Sequence, residues 1–193
     1  KISYSKKPLS VISANTVLFV DEKFNTNNIK KYISSSELVY INDLLKTSDL
    51  KKNIFVFEVS SKKKIILISL KKNLKTSNIE SLGAEFYNRV NYGKNSQYFI
   101  NSDSIPVKND DLIGHFLHGL KLKSYVFNKY KSKKNLRVIS IDVLGSKNKP
   151  TSQKKLNFEA LEEGTFFARD LVSEPGNILH PDEYAKRLNT LKK

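Results

Sequence analysis

Apolar residues alternate along the chain between short runs and helically spaced positions. Five runs rich in β-branched and aromatic residues are typical of strands, and they span 15–21, 53–59, 64–70, 97–100 and 136–142. Other segments repeat apolar residues every three or four positions, which predicts helices; they are 28–45, 77–90, 109–130 and a stretch from about residue 157 to Pro175–Gly176. This alternation predicts an α/β fold with helices covering a sheet.

The runs 53–59 and 64–70 are joined by the polar link Ser60–Lys63. A short polar link between two strand patterns predicts a hairpin. Because both runs are almost unbroken, we expect both strands to be buried on both faces. Together with the helices, this predicts a three-layer mixed β-sheet.

The helical segments carry residues that suit helix N-termini. Ser77 or Asn78 is placed to cap the helix 77–90. Three polar residues, Asn109, Asp110 and Asp111, stand where the next helix begins. Polar side chains at these positions satisfy the free N–H groups of the first turn and complement the helix dipole.

A polar, basic segment divides the chain. Gly145–Lys155 contains a Gly and a Pro and predicts a linker. Beyond it the pattern is purely helical, with a second helix opening at Pro181. One side of the first of these helices is expected to carry Leu161, Thr165, Ala168, Leu171 and Val172. We therefore predict an α/β domain at 1–150 and, at 151–193, a linker and helices that lead into another domain.

The composition narrows the possible chemistry. The chain has 193 residues and no Cys, which excludes a disulfide framework, a Cys-based zinc site and a Cys nucleophile. It also has no Met, and the last helix pattern still continues at Lys193, so we expect a piece of a longer protein. No apolar run approaches the ~20 residues of a membrane span. We expect a cytoplasmic protein with no membrane partner.

The chain is strongly basic. Lys and Arg total 34 against 19 Asp and Glu, a net charge of +15. Such an excess favours nucleic acid as a partner, because basic side chains neutralise phosphates. Only four of the basic residues are Arg, however, and the lysines lie in short runs that flank apolar strands. We favour solvated loops over a dedicated nucleic-acid surface.

Motifs that carry chemistry are scarce. There is no glycine-rich phosphate loop and no Gly-x-Ser-x-Gly elbow. Asp111, His115 and His118 share one stripe of a predicted helix and could hold a metal ion. The alternative is a polar helix face opposite the apolar ridge that begins at Leu112. No fourth ligand is identifiable, and we favour the polar face.

Two adjacent charged pairs occur in the helix that follows the linker. Glu162 and Glu163 are neighbours and project about 100° apart on a helix, so they cannot form a facing acid/base pair. Arg169 and Asp170 are likewise adjacent. Each pair is interpreted as structural.

Aromatic residues alternate with lysines at 123–131, where Tyr125, Phe127 and Tyr130 stand. This pattern is typical of a surface that stacks nucleic-acid bases. The alternative is that the aromatic rings pack against the sheet and the lysine ends reach solvent, which we favour. From the residues alone we assign no catalytic, cofactor-binding or metal-binding residue.

Two segments resemble the leucine aminopeptidase family. In 118–134, HGLKLKSYVFNKYKSKK, the family pattern Glu-Gly-x-x-Leu-Gly-Ser-Tyr-x-Phe-x-x-Tyr-Lys is matched by Gly119, Leu122, Ser124, Tyr125, Phe127, Tyr130 and Lys131. His118 stands where Glu is usual and Lys123 where Gly is usual.

The second segment, 158–188, resembles the pattern Ala-Arg-Asp-Leu-Val-Asn-x-Pro-x-Asn-x-x-x-Pro. The matching residues are Ala168, Arg169, Asp170, Leu171, Val172, Pro175, Asn177 and Pro181. Ser173 replaces the usual Asn. The segment Asp43–Leu70 also resembles the strand and hairpin layout of the family's N-terminal domain, less specifically.

The resemblance implies a macro-domain-like α/β domain that a long helix joins to a catalytic domain. The parent would be a homo-hexameric exopeptidase that releases N-terminal amino acids from peptides with two divalent metal ions, Zn or Mn. The family's metal ligands and catalytic residues lie in the C-terminal domain, so none is carried over to this chain, which alone is expected to be inactive.

Two alternatives remain open. The first is the nucleic-acid-binding module of a bifunctional aminopeptidase, with weak DNA binding. The second is a domain that binds ADP-ribose, as macro domains do. The second is the less favoured, because the chain has no glycine-rich phosphate loop.

Overall fold

In the part of the chain that the structure describes, six strands form one sheet, three α-helices cover it and two more follow. The computed structural model describes residues 1–6, 14–91, 96–107, 109, 111–132 and 138–191. The strands are β1 (Ile2–Ser5), β2 (Asn15–Asp21), β3 (Ile54–Ser60), β4 (Lys63–Leu70), β5 (Ser96–Asn101) and β6 (Ile139–Leu144). The helices are α1 (Ser35–Thr47), α2 (Thr76–Val90), α3 (Leu112–Lys123), α4 (Ser152–Ser173) and α5 (Pro181–Asn189).

The sheet is mixed, with the order β1-β6-β5-β2-β4-β3. All neighbouring strands are parallel except β3 and β4, which form the predicted hairpin. From Ile65 to Leu70, β4 is buried at every position, as expected for a strand with neighbours on both sides. The expectation that β3 is also buried on both faces is wrong. This strand lies at an edge, and Val56 is among its exposed side chains.

Alternate residues of the central strands enter two separate cores. In β2, Val17 and Phe19 belong to the core under α2 and α3, whereas Leu18 and Val20 belong to the core under α1. This alternation of period two is what a strand with helices on both faces requires. The predicted three-layer α/β fold is confirmed, and α4 adds a further helix on the outside of α3.

Several helix boundaries differ from the predicted ones because local capping decides them. The predicted helix 28–45 divides into a 3₁₀ turn (Lys30–Tyr32) and α1, which begins at a capping box formed by Ser34 and Glu37. Neither Ser77 nor Asn78 caps α2, whose N-cap is Lys75. A side-chain cap is formed by Thr151, which moves the start of α4 to Ser152.

Other differences come from tertiary pairing. β1 contains no apolar run that would predict a strand, yet it pairs in parallel with β6 at the second edge of the sheet. α3 ends at Lys123, well before Tyr130. The predicted strand 136–142 corresponds to β6, which begins three residues later, at Ile139. Five residues named in the sequence patterns lie outside the described residues, namely Asp110, Lys133, Lys134, Leu136 and Arg137.

The predicted linker packs against the α/β part. The carboxylate of Asp103 accepts hydrogen bonds from the backbone N–H groups of Ser146 (2.8 Å) and Lys147 (2.9 Å). The Asn148 amide donates to the carbonyl of Ser102 (3.1 Å). These bonds fix residues 146–148 at the carboxyl end of β5 and so set where α4 begins. Within the part of the chain that the structure describes, no helix is both long and apolar enough to cross a membrane.

Candidate functional site

α3 lies between α2 and α4 and contacts both through glycines. A Cβ at Gly119 would lie 1.9 Å from the carbonyl oxygen of Glu80 on α2, and one at Gly83 would lie 1.8 Å from that of Phe116 on α3. On the side toward α4, a Cβ at Gly114 would lie 2.5 Å from the ring of Phe158. At Gly119 and Gly83 the two backbones approach so closely that any side chain is excluded, whereas at Gly114 the neighbour is the Phe158 side chain.

The two histidines of α3 contact different helices. Nδ1 of His115 lies 3.0 Å from Oε1 of Glu80 on α2, and Nδ1 of His118 lies 3.3 Å from Oε1 of Glu162 on α4. The ring of Phe158 contacts both imidazoles, with centroids 5.0 Å and 5.3 Å away. The predicted polar face of α3 therefore lies at the contacts with α2 and α4.

The third member of the proposed metal stripe, Asp111, has another partner. Both of its carboxylate oxygens accept hydrogen bonds from Lys154 at the start of α4, at 2.6 Å. Asp111, His115 and His118 therefore bind three different side chains rather than a common centre. Among residues 1–6, 14–91, 96–107, 109, 111–132 and 138–191, no group of three or more His, Cys, Asp or Glu is arranged for a metal ion.

The second half of α4 is held by residues of both family-like segments. The Arg169 guanidinium donates to the carbonyl of Leu122 near the end of α3 (2.5 Å) and lies over the ring of Tyr125. The Tyr125 hydroxyl donates to Asp170 (2.7 Å), and its ring packs on Phe166 at 5.3 Å. The adjacent pair is structural, as predicted, but its two members bind separate partners.

The aromatic segment after α3 packs against α4. Phe127 and Tyr130 contact each other edge to face, with ring centroids 5.8 Å apart. The Tyr130 hydroxyl donates to Glu174. The preferred interpretation of 123–131 as a packing segment is thus supported, but the packing partner is α4 and its C-cap rather than the sheet.

A cluster around Glu174 joins three parts of the chain. Its carboxylate accepts hydrogen bonds from Lys129 (2.5 Å), Tyr130 and Arg187 (2.7 Å), and its side chain is 1% exposed. These three donors lower the pKa of Glu174 to about 2. Arg187 also donates to Glu183 on α5 (3.0 Å). The cluster fixes the loop after α3, the C-cap of α4 and α5 relative to one another.

The sequence did not identify Glu174 as important. The chain holds 19 acidic residues, and Glu174 stands between two matching positions of the second family-like segment without belonging to it. Its donors are 13 and 44–45 positions away along the chain. Patterns among neighbouring residues of the sequence do not show contacts between residues this far apart.

The predicted apolar side of α4 is only partly correct, because Leu171 is buried and Thr165 is half-buried, whereas the other three residues are exposed. Leu161, Ala168 and Val172 face outward, and Val172 is 87% exposed. The side that contacts the α/β part carries Phe158, Glu162, Phe166 and Arg169 instead. Further exposed apolar side chains follow, namely Ile178, Tyr184, Leu188 and Leu191. We call Leu161, Ala168, Val172, Ile178, Tyr184, Leu188 and Leu191 the α4–α5 apolar surface.

An open cleft of about 740 Å³ lies beside this surface. Its apolar lining includes Val126, Phe127, Phe167 and Leu171, and its charged edge includes Arg187. The chemistry of this region is therefore that of an interaction surface with an apolar floor and a charged rim.

Known proteins similar to this chain are named as aminopeptidases. No family model matches the chain. A protein of Nitrobacter winogradskyi named "Probable cytosol aminopeptidase" is 29% identical over 201 residues, covering 96% of this chain and 40% of the relative. One of the same name from Clostridium perfringens is 30% identical over 136 residues, covering 66% of this chain and 28% of the relative.

Among solved structures, a mutant of tomato leucine aminopeptidase matches with a TM-score of 0.70 and 18% identity, covering 98% of this chain and 42% of that chain. This likeness supports the α/β fold. The chain spans well under half the length of the relatives described above. The resemblance to the leucine aminopeptidase family that the two segments indicated is confirmed.

Proposed function

We propose that this chain is a non-catalytic part of a leucyl aminopeptidase. It is a homologue of the leucine or cytosol aminopeptidases, and in this proposal it corresponds to their N-terminal domain and linking helix. Its role would be to position a C-terminal catalytic domain that removes N-terminal amino acids from peptides. We further propose that the assembled enzyme is a cytoplasmic homo-hexamer. The names of the relatives support the aminopeptidase and cytoplasmic parts of this proposal, and their greater length supports a further domain. The hexamer rests on the family resemblance alone.

The α4–α5 apolar surface is the observation that carries it. Leu161 and Val172 are exposed on α4, whose other side contacts α3 and the loop after it, and Leu188 is exposed on α5. A series of exposed large apolar side chains of this kind is typical of an interaction site. A catalytic domain that follows α5 would bury these side chains.

The contacts of α4 suit a positioning role. Lys154 joins its start to Asp111, and Arg169 joins its later part to Leu122. Glu174, the C-cap residue of α4, joins the end of this helix to Tyr130 and, through Arg187, to α5. A helix attached at both ends transmits a fixed orientation from one domain to the next.

The resemblance implies two divalent metal ions, Zn or Mn, in the catalytic domain. The described residues do not fit such a centre, because Asp111, His115 and His118 are each engaged with a different side chain. We derive no catalytic step for this chain. When bound in the catalytic domain, such ions would activate a water and polarise the scissile carbonyl.

A chimera tests the proposal. The chain would be assayed for hydrolysis of leucine p-nitroanilide with added Mn²⁺ or Zn²⁺, alone and in place of the matching part of the Nitrobacter winogradskyi relative. We expect no hydrolysis by the chain alone and hydrolysis by the chimera. Hydrolysis by the chain alone, or a chimera that folds and binds metal but has no activity, would contradict the proposal.

Variants of the chimera locate the interface. Val172→Asp places a charge on the α4–α5 apolar surface and is expected to reduce hydrolysis strongly while leaving the unfolding midpoint of the isolated chain unchanged. The matched control is Gln153→Asp, an exposed polar position on the same helix. Equal activities of the two chimeric variants would show that this face does not contact the catalytic domain.

DNA binding is a second candidate, which the net charge of +15 favours. Binding driven by phosphate contacts weakens steeply with salt. We expect fluorescence anisotropy with a duplex to show weak binding at low ionic strength that disappears above roughly 200 mM salt. Undetectable binding at low ionic strength would remove this candidate.

A further inference from the structure

A carboxylate and an imidazole face each other inside the α3–α4 interface. The side chains of His118 and Glu162 are only 9% and 13% exposed, and the atoms Nδ1 and Oε1 are 3.3 Å apart. The two residues are separated by 44 positions in the chain. Their contact therefore exists only while α4 is docked on α3.

Phe158 isolates this pair from solvent. Its ring packs against the backbone of Gly114 and against the imidazole of His118. A small cavity of about 210 Å³ remains beside the pair, bordered by β1, α3 and α4. A change in the charge of the pair is therefore poorly compensated by bulk water.

Other ionisable groups around the pair nearly balance. The ammonium of Lys155 lies 3.7 Å from the ring centroid of Tyr4, and the pKa of Tyr4 is raised to about 12, chiefly by burial, so this residue stays neutral. The groups that face the pair are Tyr4 on β1, His115 and Lys121 on α3, and Lys155 and Glu159 on α4, with Glu80 on α2 beyond His115. Gain or loss of one proton therefore decides the net charge of the interface.

We propose that His118 and Glu162 form a proton-dependent latch that holds α4 on α3 more tightly below neutral pH than above it. The latch would regulate how firmly the linking helix is docked, and it acts within this chain whether or not the proposed function is correct. Its failure would leave the chimera experiment unaffected.

The direction follows from the environment of Glu162. Burial raises the pKa of this carboxyl, and the hydrogen bond with His118 opposes the rise only in part. A group whose pKa is higher in the docked state binds a proton more readily there. Docking therefore strengthens as pH falls through the raised pKa of Glu162, and the gain is complete below the ordinary value of 4.5. At higher pH the interface keeps an ionised carboxylate that burial disfavours.

Hydrogen exchange of the chain measures the latch. Opening of α4 would be followed through its amides from pH 4 to pH 8, with α2 amides as the internal standard for the intrinsic pH dependence of exchange. We expect the opening equilibrium of α4 relative to α2 to rise over this range, with the rise centred on the raised pKa of Glu162. A flat ratio in the wild-type chain would overturn the proposal.

Variants separate a latch from ordinary packing. Glu162→Gln keeps the shape and removes the titrating group, so the ratio should become independent of pH. Glu163→Gln removes a charge from the exposed neighbouring position and should leave the pH dependence intact. If Glu162→Gln loosens α4 at every pH, His118→Leu is the second variant. It removes the hydrogen bond that opposes the rise in the pKa of Glu162, so it should make the profile steeper. A wild-type pH dependence in both pair variants would contradict the latch.

Discussion

Gly119 of α3 lies against the backbone of Glu80 of α2 so closely that a Cβ on the glycine would lie 1.9 Å from the Glu80 carbonyl oxygen. Gly83 makes the reciprocal contact with Phe116. Two helices that meet backbone to backbone cannot accommodate even a methyl group without moving apart. This contact fixes the position of α3, and hence of its histidines, relative to the sheet.

Gly119→Ala is expected to destabilise the chain. The methyl group would clash with a backbone atom that cannot rotate away, and overpacking of this kind costs about 3 kcal/mol. Thermal unfolding should show a midpoint lower by roughly 6–12 °C. The control is Gly164→Ala on α4, where a Cβ would meet nothing within 4 Å. That variant should gain about 0.5–1 kcal/mol from helix propensity, and equal loss in both variants would contradict the close contact.

Glu174→Gln is expected to release α5 from the rest of the chain. The amide cannot offer the charged acceptor that Lys129, Tyr130 and Arg187 share. Limited proteolysis should cut within 175–191 faster than in the wild type. Asp182→Asn, which removes an exposed charge from α5 itself, should leave the cleavage rate nearly unchanged.

The same cluster predicts an acid transition. The hydrogen bonds from Lys129, Tyr130 and Arg187 lower the pKa of Glu174 to about 2, from an ordinary value of 4.5. A lowered pKa in the folded state stabilises the cluster above pH 4.5, and this stabilisation is lost as pH falls toward about 2. Protection of the α5 amides should therefore decrease over that range, and Glu174→Gln should abolish the decrease.

Glu37→Gln tests a buried ion pair between α1 and β4. The ammonium of Lys63 lies 2.5 Å from the Glu37 carboxylate, and the two side chains are 12% and 10% exposed. Burial by itself raises the pKa of Glu37, but hydrogen bonds from Lys63 and Ser34 outweigh it and lower the pKa overall. Gln preserves the capping box but loses a charged hydrogen bond worth about 2 kcal/mol.

Denaturant unfolding at pH 7 measures that loss. Because the pKa of Glu37 is lowered, the difference between wild type and variant should shrink as pH falls below 4.5. Glu58→Gln, which removes the surface pair with Lys64, serves as the control and should leave the midpoint unchanged. A pH-independent difference would show that the ion pair is not its source.

Tyr125→Phe tests the attachment of α4 to the loop after α3. The variant keeps the ring contact with Phe166 and loses the hydrogen bond to Asp170. We expect a loss of about 1 kcal/mol. A double-mutant cycle with Asp170→Asn isolates this bond, and purely additive effects would contradict a direct interaction.

Local patterns identified most of the elements. The apolar run Asn15–Asp21 predicted β2 at its observed bounds, and the polar link after Ser60 predicted the hairpin of β3 and β4. These predictions hold because a strand covered on both faces needs an unbroken apolar run. β1 was not predicted, because a four-residue edge strand such as Ile2–Ser5 acquires its conformation from pairing with β6.

The sequence by itself determined the α/β class, the order of most elements and, through the segments at Gly119–Lys131 and Ala168–Pro181, the resemblance to the leucine aminopeptidases. Only the tertiary structure decided which side of α4 is docked, that His118 faces Glu162, and that Glu174 joins three separate segments. The spacing of apolar residues along a chain shows which side of each element is buried in the core beside it. Contacts between polar side chains far apart in the chain depend on how helices cross. At α2 and α3 the crossing is set by two glycines, and it brings His115 to Glu80.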